Sequence, residues 1–178
     1  LDSSLFSKAK DDEIILCLNY DGLYGINNIN RFLQASNPNP SITWGIQQYK
    51  INDPILFTEN ERLMPAIYNN MKGKIVDINV FDADKMEGRI QFDIELEKVI
   101  NGLEAMQCDF ELLDNSQKGN SVIRLIVDKT KSTDEDNPSN SRTVIPFQVA
   151  YAVSIHKAQG LEYDSVKIVI TDEIDEMI

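Results

Sequence analysis

The sequence predicts an α/β domain whose parallel sheet is interrupted by a β-rich insertion. Three observations predict it. A strand, a glycine turn and an amphipathic helix follow one another over residues 13–36. A strand, a very short polar helix and another strand occupy 147–170. Between them lie several strand-like runs separated by turn signals. The 178 residues fit one large domain or one domain with an insertion. At 42% hydrophobic and 26% charged, the chain can build a real core.

The elements follow in order. "EIILCL" (13–18) is a continuous apolar run suited to a strand buried on both faces. "NYDGLYG" (19–25) is a turn with two glycines. In "INNINRFLQAS" (26–36), Ile26, Ile29, Phe32 and Leu33 recur at helical spacing and give one apolar face. "NPNPS" (37–41) ends that helix, because proline lacks an N–H and restricts the residue before it. Strand, turn and helix make half of a parallel α/β unit.

The middle reads differently. "PILFT" (54–58), "GKIVDINV" (73–80), "GRIQFDIEL" (88–96), "CDFELL" (108–113) and "NSVIRLIVD" (120–128) are expected strands. Alternation is clearest in Ile90, Phe92, Ile94 and Leu96. The turns "NNMKG", "DADKMEG" and "DNSQKGN" separate them, a spacing that fits a small barrel or sandwich. "DKTKSTDEDNPSNSR" (128–142) reads as a mobile polar loop. "FQVAYAV" (147–153) is then expected as one strand. Ser154 is a good N-cap for the helix "IHKAQ", Gly160 closes it as a C′ glycine, and "SVKIVI" (165–170) is the last strand.

The net charge of −12 argues against tight nucleic-acid binding by this chain alone, since phosphate contacts leave a basic footprint. Part of the acid is concentrated in "TDEDN" (133–137) and "TDEIDEMI" (171–178), so a basic patch can survive elsewhere. Residues 1–12 lack the apolar stretch of a signal peptide, and no run approaches the ~18 apolar residues of a membrane span. Cys17 and Cys108 read as buried thiols in a reducing, cytoplasmic setting, with a single disulfide as the alternative.

Most catalytic chemistries lack their residues. One histidine and two distant cysteines do not make a zinc site. No G-x-S-x-G elbow accompanies His156. "MKGK" (71–74) is not a phosphate loop, because Tyr68 stands at the first glycine position and Ile75 follows the lysine. No carboxylate pair stands out for glycosidic chemistry.

What remains is "VSIHKAQGLEYDSVKIVI" (153–170), which crowds polar groups between two apolar runs. The plain reading makes His156 a packing residue, Glu162 a solvated one, and Tyr20 and Tyr24 rim packing. The functional reading starts from the helix N-terminus at Ser154, whose free N–H groups suit a phosphate. His156 stacks on a base or donates to a phosphate oxygen, and Lys157 adds positive charge. Gly160 lets backbone approach closely, and Glu162 accepts from the two hydroxyls of a ribose.

This stretch resembles motif V of superfamily 1 DNA and RNA helicases, T-x-H-[KR]-[AS]-[QK]-G-x-E-[FY]. Ser154, His156, Gln159, Gly160, Glu162 and Tyr163 fall on the pattern, with serine for the commoner threonine. "EIILCLNYDGLYGINNINRFLQ" looks like the strand and helix around motif IV of a RecD-like or UvrD-like C-terminal domain, including the G-x-N-x-x-N-x-x-L-Q run of the RecD-like and viral-like branches. "INDPILFTENERLMPAIYNNMKGKIVDI" is similar to the segment that opens their β insertion. The resemblance implies a second RecA-like domain (2A) over 1–44 and 144–178 and an SH3-like β-barrel insertion (2B) over 45–143.

By the same resemblance, Ser154, His156 and Lys157 face single-stranded DNA, while Gln159, Gly160, Glu162 and Tyr20 face the nucleotide. ATP and Mg²⁺ would be bound only in an intact parent that also carries the first RecA-like domain with its Walker motifs. Asn19, Tyr20 and Asp21 stand where an arginine is expected, and Arg31 is the only arginine before the insertion. No motif VI follows within the sequence. The expectation is a C-terminal helicase fragment, inactive alone, from a DNA-repair or related enzyme. The competing expectation is an acidic β-rich module that binds protein partners through the insertion.

Overall fold

The computed structural model describes residues 13–82, 88–113, 119–129 and 143–170. They form a mixed α/β chain dominated by sheet, divided into two compact units: Leu1–Pro38 with Ala150–Ile178, and Asn39–Val149. The expected acidic runs at 133–137 and 171–178, and most of the expected loop at 128–142, lie outside the described residues.

In the discontinuous unit, β1 (Glu13–Cys17) is the middle strand of a three-stranded parallel sheet. Its neighbours are β10 (Ala152–Ser154) and β11 (Ser165–Val169). Adjacent Ile14 and Ile15 are both buried, as a central parallel strand requires. Helix α1 (Ile26–Ala35) lays Ile26, Ile29 and Leu33 against Ile15, Cys17, Ala152 and Val169. The expected apolar face packs at Ile26, Ile29 and Leu33, while Phe32 is half-buried and outside this cluster. Both cysteines are free thiols, Cys17 buried and Cys108 half-buried.

The continuous unit begins with a hairpin, β2 (Ile42–Trp44) and β3 (Gln47–Tyr49), turned at Gly45 with φ of +62°. The main sheet is antiparallel and six-stranded. It contains β4 (Pro54–Phe57), β5 (Lys72–Phe81), β6 (Arg89–Leu96), β7 (Glu111–Leu112), β8 (Val122–Asp128) and β9 (Phe147–Val149), in the order β7-β8-β6-β5-β4-β9. Ile90, Phe92, Ile94 and Leu96 are all buried, as their alternation predicts. Tyr49, Phe57, Phe92 and Phe147 pack edge to face with ring centroids 5.0–6.0 Å apart. Burial raises the Tyr49 hydroxyl to about 12.

Three expectations change. "FQVAYAV" is not one strand: 147–149 pairs antiparallel with β4, while 152–154 pairs parallel with β1. Two sheets with different partners claim its two ends, and Ala150 and Tyr151 lie between them. "CDFELL" contributes only Glu111–Leu112, because Cys108 already closes the turn after a short helix, α2 (Gly102–Ala105). The units divide after Pro38 and after Val149, whereas the expected boundaries fell after 44 and 143. The β2–β3 hairpin and β9 account for the shift, since both belong to the continuous unit.

Candidate functional site

The parallel unit carries the expected site residues, and the register fixes which of them share an edge. Cys17 lies opposite Ser154 and Val169, while Glu13 lies opposite Ser165. Residues leaving β1 and β10 therefore emerge together at the carboxyl edge of the sheet. In open parallel sheets this is the edge at which ligands bind. Residues 155–164 must return from that edge to the amino edge before β11 begins. The two levels are separated by roughly 13 Å at ~3.3 Å per residue.

At the carboxyl edge, Ser154 ends β10 and caps α3 (Ile155–Ala158), its Oγ accepting from the Lys157 N–H at 3.3 Å. Ser154 itself is buried, so its hydroxyl serves the helix. His156 is exposed and Lys157 half-buried. Helix α3 is a single turn, too short to develop much of a macrodipole, and its cap already uses one N–H. The Lys157 side chain, rather than the helix end, therefore supplies the positive charge here.

The loop after β1 supplies the neighbouring surface. Leu18, Tyr20, Leu23 and Tyr24 are all exposed. The loop is clamped to the first turn of α1: Ile26 N–H donates to the Asn19 carbonyl at 3.0 Å and Asn27 N–H to the Tyr20 carbonyl at 3.1 Å. Asn27 Nδ2 donates to Asp21 Oδ1 at 3.1 Å, and Asn28 Nδ2 to the Leu23 carbonyl at 2.8 Å. A Cβ on Gly25 would fall on the Asp21 carbonyl. The G-x-N-x-x-N-x-x-L-Q run thus has a structural content: Gly25 and Asn27 hold the loop, Asn30 binds the backbone of β10, and Leu33 packs under the sheet. Sequence reading passed over Asn27 and Asn30 as individual residues. Their spacing within that run was the available signal.

Past α3, Gln159 and Gly160 are exposed, and Gly160 has φ of +83°, with open space where a Cβ would stand. That is the left-handed geometry expected of a helix-ending glycine. Glu162 is exposed and lies close in sequence to the amino edge. At that edge Glu13 accepts from Lys167 Nζ at 2.6 Å and from Ser165 Oγ at 3.0 Å. The fold therefore brings Tyr20 together with Ser154, His156 and Lys157 at one edge. Glu162 lies on the connection that leaves α3 for β11, one residue beyond Leu161, whose N–H donates to the Ala158 carbonyl at 3.0 Å.

The arrangement offers aromatic faces and a cation at one edge, and an exposed carboxylate beyond the left-handed Gly160. Stacking and charge contacts of the first kind suit an unpaired nucleic-acid strand. Among the described residues, no group of three or more His, Cys, Asp or Glu side chains is placed to hold a metal ion. Among them too, no helix is long and apolar enough to cross a membrane.

A chain with a discontinuous parallel unit and an antiparallel insertion is the class the fold defines. No protein family matches it by sequence, and no curated protein does. Among solved structures it is similar to the Pif1 helicase from Candida albicans, at 15% identity and a TM-score of 0.45. That similarity covers 88% of this chain and 39% of the other, so this chain spans well under half of the protein it matches.

Proposed function

We propose that the parallel unit is the second RecA-like half of an ATP-dependent superfamily 1 helicase, and that residues 39–149 are its SH3-like insertion. The observation that carries this reading is the shared carboxyl edge, where the loop after β1 meets the Ser154–Lys157 turn within a stretch resembling motif V. In this reading His156 stacks on unpaired bases and Lys157 neutralises a phosphate, while Tyr20, which the resemblance assigns to the nucleotide, is proposed instead to stack beside His156 at the carboxyl edge. Gly160 and Glu162 approach the ribose of a nucleotide held mainly by a partner domain. The sequence holds no phosphate loop, so the chain contributes half of the ATP site and turns over nothing alone.

Two measurements on the chain test this. Isothermal titration with ATP is expected to show no binding tighter than millimolar, and steady-state assays no hydrolysis; robust turnover overturns the reading. Photo-crosslinking of a halogenated single-stranded oligonucleotide at low salt is expected to map to 18–24 and 153–160. His156→Ala is expected to reduce the yield several-fold. Crosslinks confined to the antiparallel unit refute the assignment.

A further inference from the structure

The antiparallel unit carries a second surface that the motor reading does not use. Five large apolar side chains, Met64, Tyr68, Val99, Leu103 and Met106, are each more than half exposed. Two neighbouring segments present them. The Cys108 thiol lies 3.2 Å from the Met64 carbonyl and 3.3 Å from the Glu104 carbonyl, and Asp109 N–H donates to the Arg62 carbonyl at 2.7 Å. Lys98 Nζ sits 5.0 Å above the Tyr68 ring, which brings the segment carrying the exposed Val99 beside it. In α2 and its C-cap residue Met106, Ala105 is buried while Leu103 and Met106, three residues apart, are both exposed.

Clustered exposed apolar residues with two methionines mark a recognition surface that adapts to its partner. Its charge selects the partner. Glu61, Glu97 and Glu104 are exposed on these two segments, and Asp109 is half-buried beside Arg62. Against them stand Lys98, held over Tyr68, and Arg62, which is buried. Lys72 pairs with Glu97 at 2.9 Å. With those two pairs made, Glu61 and Glu104 stand against Lys98, and the net negative rim favours a basic partner over phosphate or anionic lipid.

We propose that this patch docks a basic amphipathic polypeptide segment. The segment's apolar side chains cover Leu103 and Met106, and its lysines or arginines meet Glu61 and Glu104. Such a surface gives the chain a protein partner independent of the parallel unit.

The test uses the full chain and a fluorescein-labelled amphipathic helix of leucine and lysine, followed by anisotropy. Saturable binding is expected, weakened at least tenfold by Leu103→Glu and by Met106→Glu. Each of these adds negative charge, so attraction by net charge alone would instead strengthen binding. Ile46→Glu, at a 97% exposed position in the β2–β3 turn, is the control and is expected to leave affinity unchanged. Glu61→Gln with Glu104→Gln is expected to weaken binding at least threefold and to flatten its salt dependence. Absent binding, equal binding of a leucine and glutamate helix, or indifference to Met106→Glu overturns the proposal. Self-association in sedimentation velocity that Met106→Glu abolishes makes a second copy the occupant and overturns it too.

Discussion

The side-chain amide of Asn30 occupies both backbone groups of Ala152. Its Nδ2 donates to the Ala152 carbonyl at 2.9 Å, and its Oδ1 accepts from the Ala152 N–H at 2.8 Å. Ile15 N–H already bonds to Tyr151 in the parallel ladder, so Ala152 directs its own groups away from β1. One helical residue thereby takes the place of a missing neighbour strand at the edge of β10. This pins the strand that leads directly into Ser154 and His156.

Asn30→Ala is accordingly expected to cost about 1–3 kcal/mol, since it strands two polar backbone groups as well as removing two bonds. Amide exchange at Ala152 rises in step. Urea melts and exchange spectra check both. Unchanged protection at Ala152 would contradict the assigned pairing.

Gly25 and Gly160 are expected to respond differently to alanine. At Gly25 the added methyl runs into the Asp21 carbonyl, so the loop carrying Tyr20 must rearrange. At Gly160 the space is open and only the left-handed backbone resists, worth about 1 kcal/mol. Thermal melts are expected to rank Gly25→Ala as the more damaging, with Tyr20 resonances shifting in that variant alone.

Burial raises the Cys17 thiol from 9.0 to about 11. Below pH 9 both folded and unfolded chains hold that proton and stability is undiminished. As the pH climbs towards 11 the unfolded chain loses it first, so stability falls, by about 2–3 kcal/mol from this group. Cys17→Ala is expected to flatten the loss between pH 9 and 11 in urea titrations. Iodoacetamide at pH 8 is expected to leave Cys17 unmodified until the chain is denatured.

Phe92 is fully buried and stacks edge to face on Tyr49 and Phe147. Phe92→Ala is expected to cost about 3–5 kcal/mol in denaturant melts. His156→Ala and Glu162→Ala, both at exposed positions, are expected to stay within about 0.5 kcal/mol of the parent. Any loss of nucleic-acid crosslinking in His156→Ala then reports on contact rather than folding.

Much of this was legible because periodicity is strong where burial is one-sided. The face of α1 follows from Ile26, Ile29 and Leu33, and the inward face of β6 from its alternation. The Ser154 cap and the Gly160 stop were readable because each answers to local backbone geometry. The division of 147–154 between two sheets was not, since both ends look equally strand-like and only distant partners separate them. The β2–β3 hairpin was missed because each arm of "ITWGIQQY" is only three residues long, and Tyr49 is buried by aromatic neighbours far along the chain.

The central position of β1 sets an order of events during synthesis. Its two partners, β10 and β11, lie more than 130 residues downstream, as the pairings Ile15 with Ala152 and Ile15 with Lys167 imply. The antiparallel unit is contiguous in sequence and its ladders close shorter loops, so it is poised to fold first as the chain leaves the ribosome. Until Val169 has emerged, the apolar run "EIILC" waits without its full complement of neighbours, an obvious client for a chaperone.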